Sequence, residues 1–127
     1  MGITAKSVLI VDDEHDIRRF LSTILEDEGY HTTTACDGEQ ALQLLETLLP
    51  DLITLDVAMP NKSGVGTYRA IRGNRALAHI PVILITGVAP EFQEFISTRR
   101  QVPPPDGYLP KPVNPAELVA LVERLLA

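Results

Sequence analysis

Apolar runs in this chain are short: residues 82–85 read VILI, far below the roughly 20 residues that a membrane-crossing helix needs. A membrane protein is therefore not expected. Cysteine is nearly missing, and Cys36, standing alone, excludes an internal disulfide. The opening "MGITAKS" has no charged segment followed by a long apolar region, so no secretory signal is visible and the expected location is cytoplasmic. Basic charge is in deficit as well. The 17 acidic residues face 11 basic ones, and the net charge of −6 disfavours attraction to nucleic acid or an anionic membrane. Any DNA binding must then come from another domain or partner. Gly64-Val65-Gly66 lacks a third glycine and no Gly-rich loop ends in Gly-Lys-Ser/Thr, which sets a nucleotide-binding domain aside. His15, His31 and His79 are scattered without ligand-like spacing, so zinc is not expected.

What is present is an ordinary globular composition. With 45% hydrophobic and 22% charged residues over a length of 127, residues 1–127 fit one domain able to bury a core without staples.

The order of elements follows from changes in apolar period. Residues 8–11 (VLIV) read as a strand buried on both faces. From Glu14 the period becomes helical, with Ile17, Phe20, Leu21, Ile24 and Leu25 on one stripe and Gly29 as the stop. Residues 30–36 (YHTTTAC) are rich in β-branched side chains and read as a second strand, with Cys36 a core or near-core residue at its end. Asp37 then caps a helix with Gln40 at its third position, and Ala41, Leu44, Leu45 and Leu48 form the buried stripe up to Pro50. A third strand spans 51–56 (DLITLD), and a helix over about 65–75 turns Tyr68 and Ile71 inward. Residues 80–86 (IPVILIT) are the fourth strand. Pro90 suits the first turn of a fourth helix carrying Phe92, Phe95 and Ile96, although three prolines bar helix at 103–105. A short fifth strand at 108–110 precedes a last helix capped by Asn114, with Leu118, Leu121, Val122 and Leu125 inward. Five strands alternating with five helices imply an α/β fold with a parallel sheet covered on both faces. Ligands of such sheets sit beyond the carboxyl ends of the strands, where Asp12, Asp13, Asp56 and Thr86 would emerge.

Singly, these residues have plain explanations. Asp13 would cap the first helix, with Asp16 in its first turn. Lys111, between Pro110 and Pro112, would be a surface lysine, and Tyr108 a core tyrosine with its hydroxyl at the surface. Together they ask for more. Carboxylates gathered at one edge repel by roughly 3–4 kcal/mol per pair at 4–5 Å and an effective dielectric near 20. A hard divalent cation, Mg²⁺ above all, would relieve that, and Lys111 supplies a fixed positive charge. Thr86 adds a hydroxyl beside Gly87, whose missing side chain leaves room.

The segments "VLIVDDEHDIRRFL", "PDLITLDVAMPNKSG", "PVILITG" and "DGYLPKPV" together resemble the receiver domain of two-component response regulators of the chemotaxis-regulator type, across essentially the whole chain. The resemblance implies a doubly wound, flavodoxin-like five-stranded sheet of order 2-1-3-4-5. It implies Asp56 as phosphoacceptor, taking a phosphoryl group from a histidine kinase or histidine phosphotransfer protein. It further implies Mg²⁺ held by Asp13 and Asp56, by Asp12 directly or through water, and by the Ala58 backbone carbonyl, with Lys111 pairing to a phosphoryl oxygen. Thr86 and Tyr108 match the switch pair, which passes the signal to an output partner or domain. The face formed by the fourth helix, fifth strand and fifth helix would carry output or a dimer. Such a protein catalyses only its own phosphorylation and dephosphorylation, either as a stand-alone receiver or as a piece of a longer regulator.

The chain departs from the family pattern at Ser63-Gly64, where Asp-Gly or Glu-Gly is usual, and in the long stretch from Thr86 to Lys111. Ala58 and Val88 cannot hydrogen-bond an attacking water, which implies slow self-dephosphorylation. Two rival readings are a receiver fold that is never phosphorylated and serves as an interaction module, and a haloacid-dehalogenase-like phosphatase. The latter needs a second Asp two positions after Asp56, where Ala58 stands.

Overall fold

A computed structural model describes residues 5–57, 64–87 and 105–127. Five parallel strands, β1 (Ser7–Val11), β2 (His31–Ala35), β3 (Leu52–Asp56), β4 (Val82–Thr86) and β5 (Gly107–Pro110), form one sheet in the order β2-β1-β3-β4-β5. Four helices lie among the described residues: α1 (His15–Asp27), α2 (Gly38–Leu44), α3 (Gly64–Gly73) and α4 (Pro115–Leu125). The helix expected from Pro90 lies outside the described residues.

The two-residue period of the strands divides the core in two. Leu9, Val11, Ile53, Leu55, Val82 and Leu84 face one way and pack with Ala41, Tyr68 and Ile71 of α2 and α3. Val8, Ile10, Leu52, Ile83 and Ile85 face the other way and pack with Leu21 and Leu25 of α1 and Leu118 and Val122 of α4. Helices on both faces explain why β1 and β4 are apolar along their length rather than alternating.

Local chemistry ends the helices largely as the sequence indicates. Gly29 takes the left-handed conformation, φ 92°, that stops α1. Asp37 accepts a hydrogen bond from Gln40 N at 2.8 Å, and Asn114 accepts one from Glu117 N at 3.1 Å. Three details differ from expectation. Phe20 is 43% exposed, because roughly 100° per residue puts it about 100° around α1 from Leu21, at the edge of the apolar stripe. Cys36 is exposed because it follows Ala35, the last buried residue of β2, and has left the sheet. Asp13 does not cap α1: Glu14 is the capping position and makes no side-chain cap bond.

The register brings one edge together. Val11 pairs with Ala35 and Leu55, Asp56 with Ile85, and Thr86 with Pro110. The strand order reverses at β1, which lies between β2 and β3, so Asp12 and Asp56 emerge beside the switch-point crevice.

Candidate functional site

Asp12 follows the last residue of β1 and is only 1% exposed. Its carboxylate is held from two sides. Oδ1 accepts from Glu14 N at 2.9 Å, while Oδ2, buried and without a well-aligned hydrogen bond, faces Lys111 Nζ at 3.2 Å. Its backbone is tied as well, the amide donating to Ala35 O at 3.1 Å and the carbonyl accepting from Arg18 Nη1 at 2.8 Å. Asp56, the last residue of β3, is 2% exposed, and its Oδ2 lies 3.4 Å from the same ammonium. Asp13 is exposed at the rim. Asp12, Asp13 and Asp56 each bring a carboxylate oxygen within 4.8 Å of the other two.

Lys111 reaches this cluster because its amide donates to Thr86 O at 3.0 Å, extending the β4–β5 ladder by one bond. It also approaches Glu14 Oε1 at 3.6 Å. Three carboxylates, those of Asp12, Glu14 and Asp56, thus approach one ammonium, and Asp13 adds a fourth to the cluster beside it. Burial would lower the Lys111 pKa, but Asp12 and Asp56 outweigh it and hold the group above its ordinary 10.5. For Asp12 burial wins in the other direction. Desolvation raises its pKa above the ordinary 3.8 despite the Glu14 amide and Lys111. The cluster holds more carboxylates than cations, and its oxygen donors are of the kind hard divalent cations take.

Thr86 ends β4 with 2% exposure. Tyr108 on β5 lies opposite Leu84 and packs, half-buried, against the core on the α2–α3 side. Thr86 and Leu84 share a sheet face, so Thr86 and Tyr108 are diagonal neighbours. Ala58 lies outside the described residues.

Gly64 has a part that sequence reasoning missed. At the first position of α3, a Cβ would run into the Asp56 carbonyl oxygen and the Val57 Cα. The helix start is therefore seated on the very strand end that presents Asp56. Glu14 and Arg18 were missed too, the only signal being their nearness to Asp12 in a helix start.

Fold and site together define a doubly wound α/β module with an acidic site and one lysine at its strand ends. A family model for the response regulator receiver domain matches residues 8–123. Over 119 residues the chain is 40% identical to the transcriptional regulatory protein CpxR of Escherichia coli strain K12, covering 94% of this chain and 48% of that protein. The chain spans about half the length of the curated relatives it matches. Among solved structures it is similar to the chemotaxis response regulator CheY4 of Vibrio cholerae, with a TM-score of 0.86, 33% identity and coverage of 97% and 100%. It is also similar to the receiver domain of the sensor histidine kinase PA1611 of Pseudomonas aeruginosa PAO1, described with a magnesium ion in its active-site cleft: TM-score 0.84, 27% identity, coverage 97% and 98%.

The chain belongs to the response regulator receiver domain family. Neither the phosphatase nor the unphosphorylated module is favoured by these likenesses. No helix among the described residues is long and apolar enough to cross a membrane.

Proposed function

We propose that residues 1–127 form one receiver domain that takes a phosphoryl group on Asp56 and catalyses no reaction besides its own phosphorylation and dephosphorylation. The observation that carries this is a nearly buried carboxylate at the end of β3, 3.4 Å from Lys111 and clustered with Asp12 and Asp13. An Asp56 oxygen attacks the phosphorus of a phosphohistidine. The oxygen–phosphorus bond forms as the phosphorus–nitrogen bond breaks, and the departing imidazole keeps the electron pair and takes a proton from solvent. Such transfers need positioning and charge neutralisation more than covalent chemistry. Lys111 neutralises one phosphoryl oxygen and, through the hydrogen bond its backbone N–H donates to the Thr86 carbonyl, is fixed to the adjacent strand end.

Oxygens of Asp12, Asp13 and Asp56 suit Mg²⁺, with the Ala58 carbonyl as a further ligand; when bound, the ion neutralises charge on the transferring group. The under-bonded, buried Oδ2 of Asp12 supports that fit. Thr86 and Tyr108 form the switch, the hydroxyl moving toward the phosphoryl group and the ring turning inward. Population of a second state by added charge and hydrogen bonds is the physical basis. The donor is a histidine kinase or histidine phosphotransfer protein, the location cytoplasmic, and the output a partner or attached domain, reached through a face that includes β5 and α4, which also suits a dimer. Acidic balance argues against direct nucleic acid binding by this domain.

The test is incubation with Mg²⁺ and acetyl phosphate or phosphoramidate, followed by mass spectrometry. One added phosphoryl group is expected, absent in Asp56→Asn. Unlabelled wild type would point to an interaction module, and phosphate released from many monoesters to a phosphatase.

A further inference from the structure

Arg72, in the last turn of α3, is a charge that the proposed chemistry does not use. Its side chain is only 6% exposed. Nε donates to Tyr68 Oη at 3.1 Å, Nη1 to the carbonyls of Ala78 and Ile80 at 2.9 and 2.8 Å, and Nη2 to Asp106 Oδ2 at 2.6 Å. The guanidinium also lies 5.1 Å from the centre of the Tyr68 ring. Asp106 passes the connection on: the same Oδ2 accepts from Val82 N at 2.8 Å, and Asp106 N donates to Val82 O at 2.9 Å. One planar fork thus ties α3, the turn before β4, the first residue of β4 and the approach to β5. A lysine has the charge but not the five-donor geometry for this.

The clamp brackets Tyr108. Asp106 stands two residues before it along the chain, and Tyr68 belongs to the core cluster on which the Tyr108 ring packs. Tyr68 is itself buried, at 2% exposure, so its part of that cluster has little freedom. The carboxylate site is remote from all this. Val82 and Thr86 are the two ends of β4, about 13 Å apart at roughly 3.3 Å per residue. The Arg72 charge is moreover paired with Asp106 at 2.6 Å, so the net field it sends along β4 is that of a close ion pair, and its influence runs through the placement of strands and rings.

We propose that Arg72 is a positioning residue for Tyr108: by holding Tyr68 and Asp106 in one arrangement it defines the packing place of the Tyr108 ring, and so sets the balance of the switch without altering the carboxylate site. This rests on the reading of Thr86 and Tyr108 as the switch pair.

The test uses protein labelled with 3-fluorotyrosine, whose three tyrosines, Tyr30, Tyr68 and Tyr108, give three fluorine resonances, each assigned by a Tyr→Phe variant. Wild type, Arg72→Lys and the near-isosteric Asp106→Asn are compared, first with Mg²⁺ alone. In both variants the Tyr108 resonance broadens or splits, with a minor population raised at least about fivefold, while Tyr30 stays unmoved and the Mg²⁺ dissociation constant stays within about twofold. A Tyr108 resonance unchanged in both variants overturns the proposal, as does an equal loss of Mg²⁺ affinity or failure of both variants to fold, since Arg72 would then be a general support. Acetyl phosphate is added last. If the wild-type Tyr108 resonance ignores phosphorylation, or no phosphoryl group is taken up, the switch reading fails on its own, and the Mg²⁺ spectra still report whether Arg72 positions Tyr108.

Discussion

Gly64 lies against the backbone of Asp56, so close to its carbonyl oxygen that the first residue of α3 has no room for a side chain. The obstructing atoms are backbone, at the carboxyl end of the central strand of the sheet, and cannot step aside as a flexible side chain would. Gly64→Ala should therefore cost about 1–3 kcal/mol, the usual range for overpacking, and should also displace Asp56. A lowered urea midpoint together with slower labelling by acetyl phosphate is the expected pair. An unchanged midpoint would show that α3 shifts freely.

That contact marks where the sequence was informative and where it was not. The parallel sheet was legible because strands such as VLIV and VILI are apolar on both faces and alternate with helical stripes, and Asp12, Asp56, Thr86 and Lys111 were legible because each stands at a strand end. Gly64 looked like a loop variant, since its constraint comes from a strand end eight positions earlier in the chain. Arg72 and Asp106 were invisible for the same reason, being 34 positions apart and both of types that usually face water. Phe20 and Cys36 went astray through the opposite error, a local pattern extended one position too far.

Lys111 is the cation that Asp12 and Asp56 share, at 3.2 and 3.4 Å. Lys111→Met leaves two nearly buried carboxylates without it, a change that typically costs about 3–5 kcal/mol. In chelator the melting temperature should fall, and millimolar Mg²⁺ should restore part of it. No phosphoryl group should appear on Asp56. A variant as stable as wild type in chelator would show that solvent already screens the pair.

Asp13 adds charge to a cluster already short of cations, yet is itself exposed. Asp13→Asn relieves repulsion across the rim, so the metal-free protein should gain about 0.2–1 kcal/mol, the scale of exposed charge interactions. Its Mg²⁺ affinity should drop by at least about tenfold because a hard oxygen ligand is lost. Calorimetric titration with Mg²⁺ and urea unfolding in chelator check the two signs separately. Retained affinity would remove Asp13 from the proposed ligand set.

Burial raises the Tyr68 pKa above its ordinary 10.0, with Arg72 opposing through its hydrogen bond and charge. The folded protein therefore keeps a proton that the unfolded chain has lost, and stability falls with pH in that window. The Tyr68 contribution is complete below 10.0 and is lost as pH climbs through the folded value. Lys111, raised above 10.5, acts with the same sign. Between about pH 9 and about pH 11 the urea midpoint should decline, with a slope per group of at most about 1.4 kcal/mol per pH unit. In Tyr68→Phe the decline should be shallower. Equal slopes would mean that water reaches the Tyr68 hydroxyl.

Two residues after Asp56 stands Ala58, and two after Thr86 stands Val88; both lie outside the described residues. Neither a methyl nor an isopropyl group can orient a water for attack on an acyl phosphate, whereas an amide can accept and donate hydrogen bonds. Phosphorylated wild type in Mg²⁺ should lose its phosphoryl group slowly, and Ala58→Asn should lose it faster by about 10²-fold at most, the lower end of what a positioned polar group contributes. The decay is followed by intact mass after removal of the donor. Wild type decaying as fast as Ala58→Asn would mean that another group orients the water.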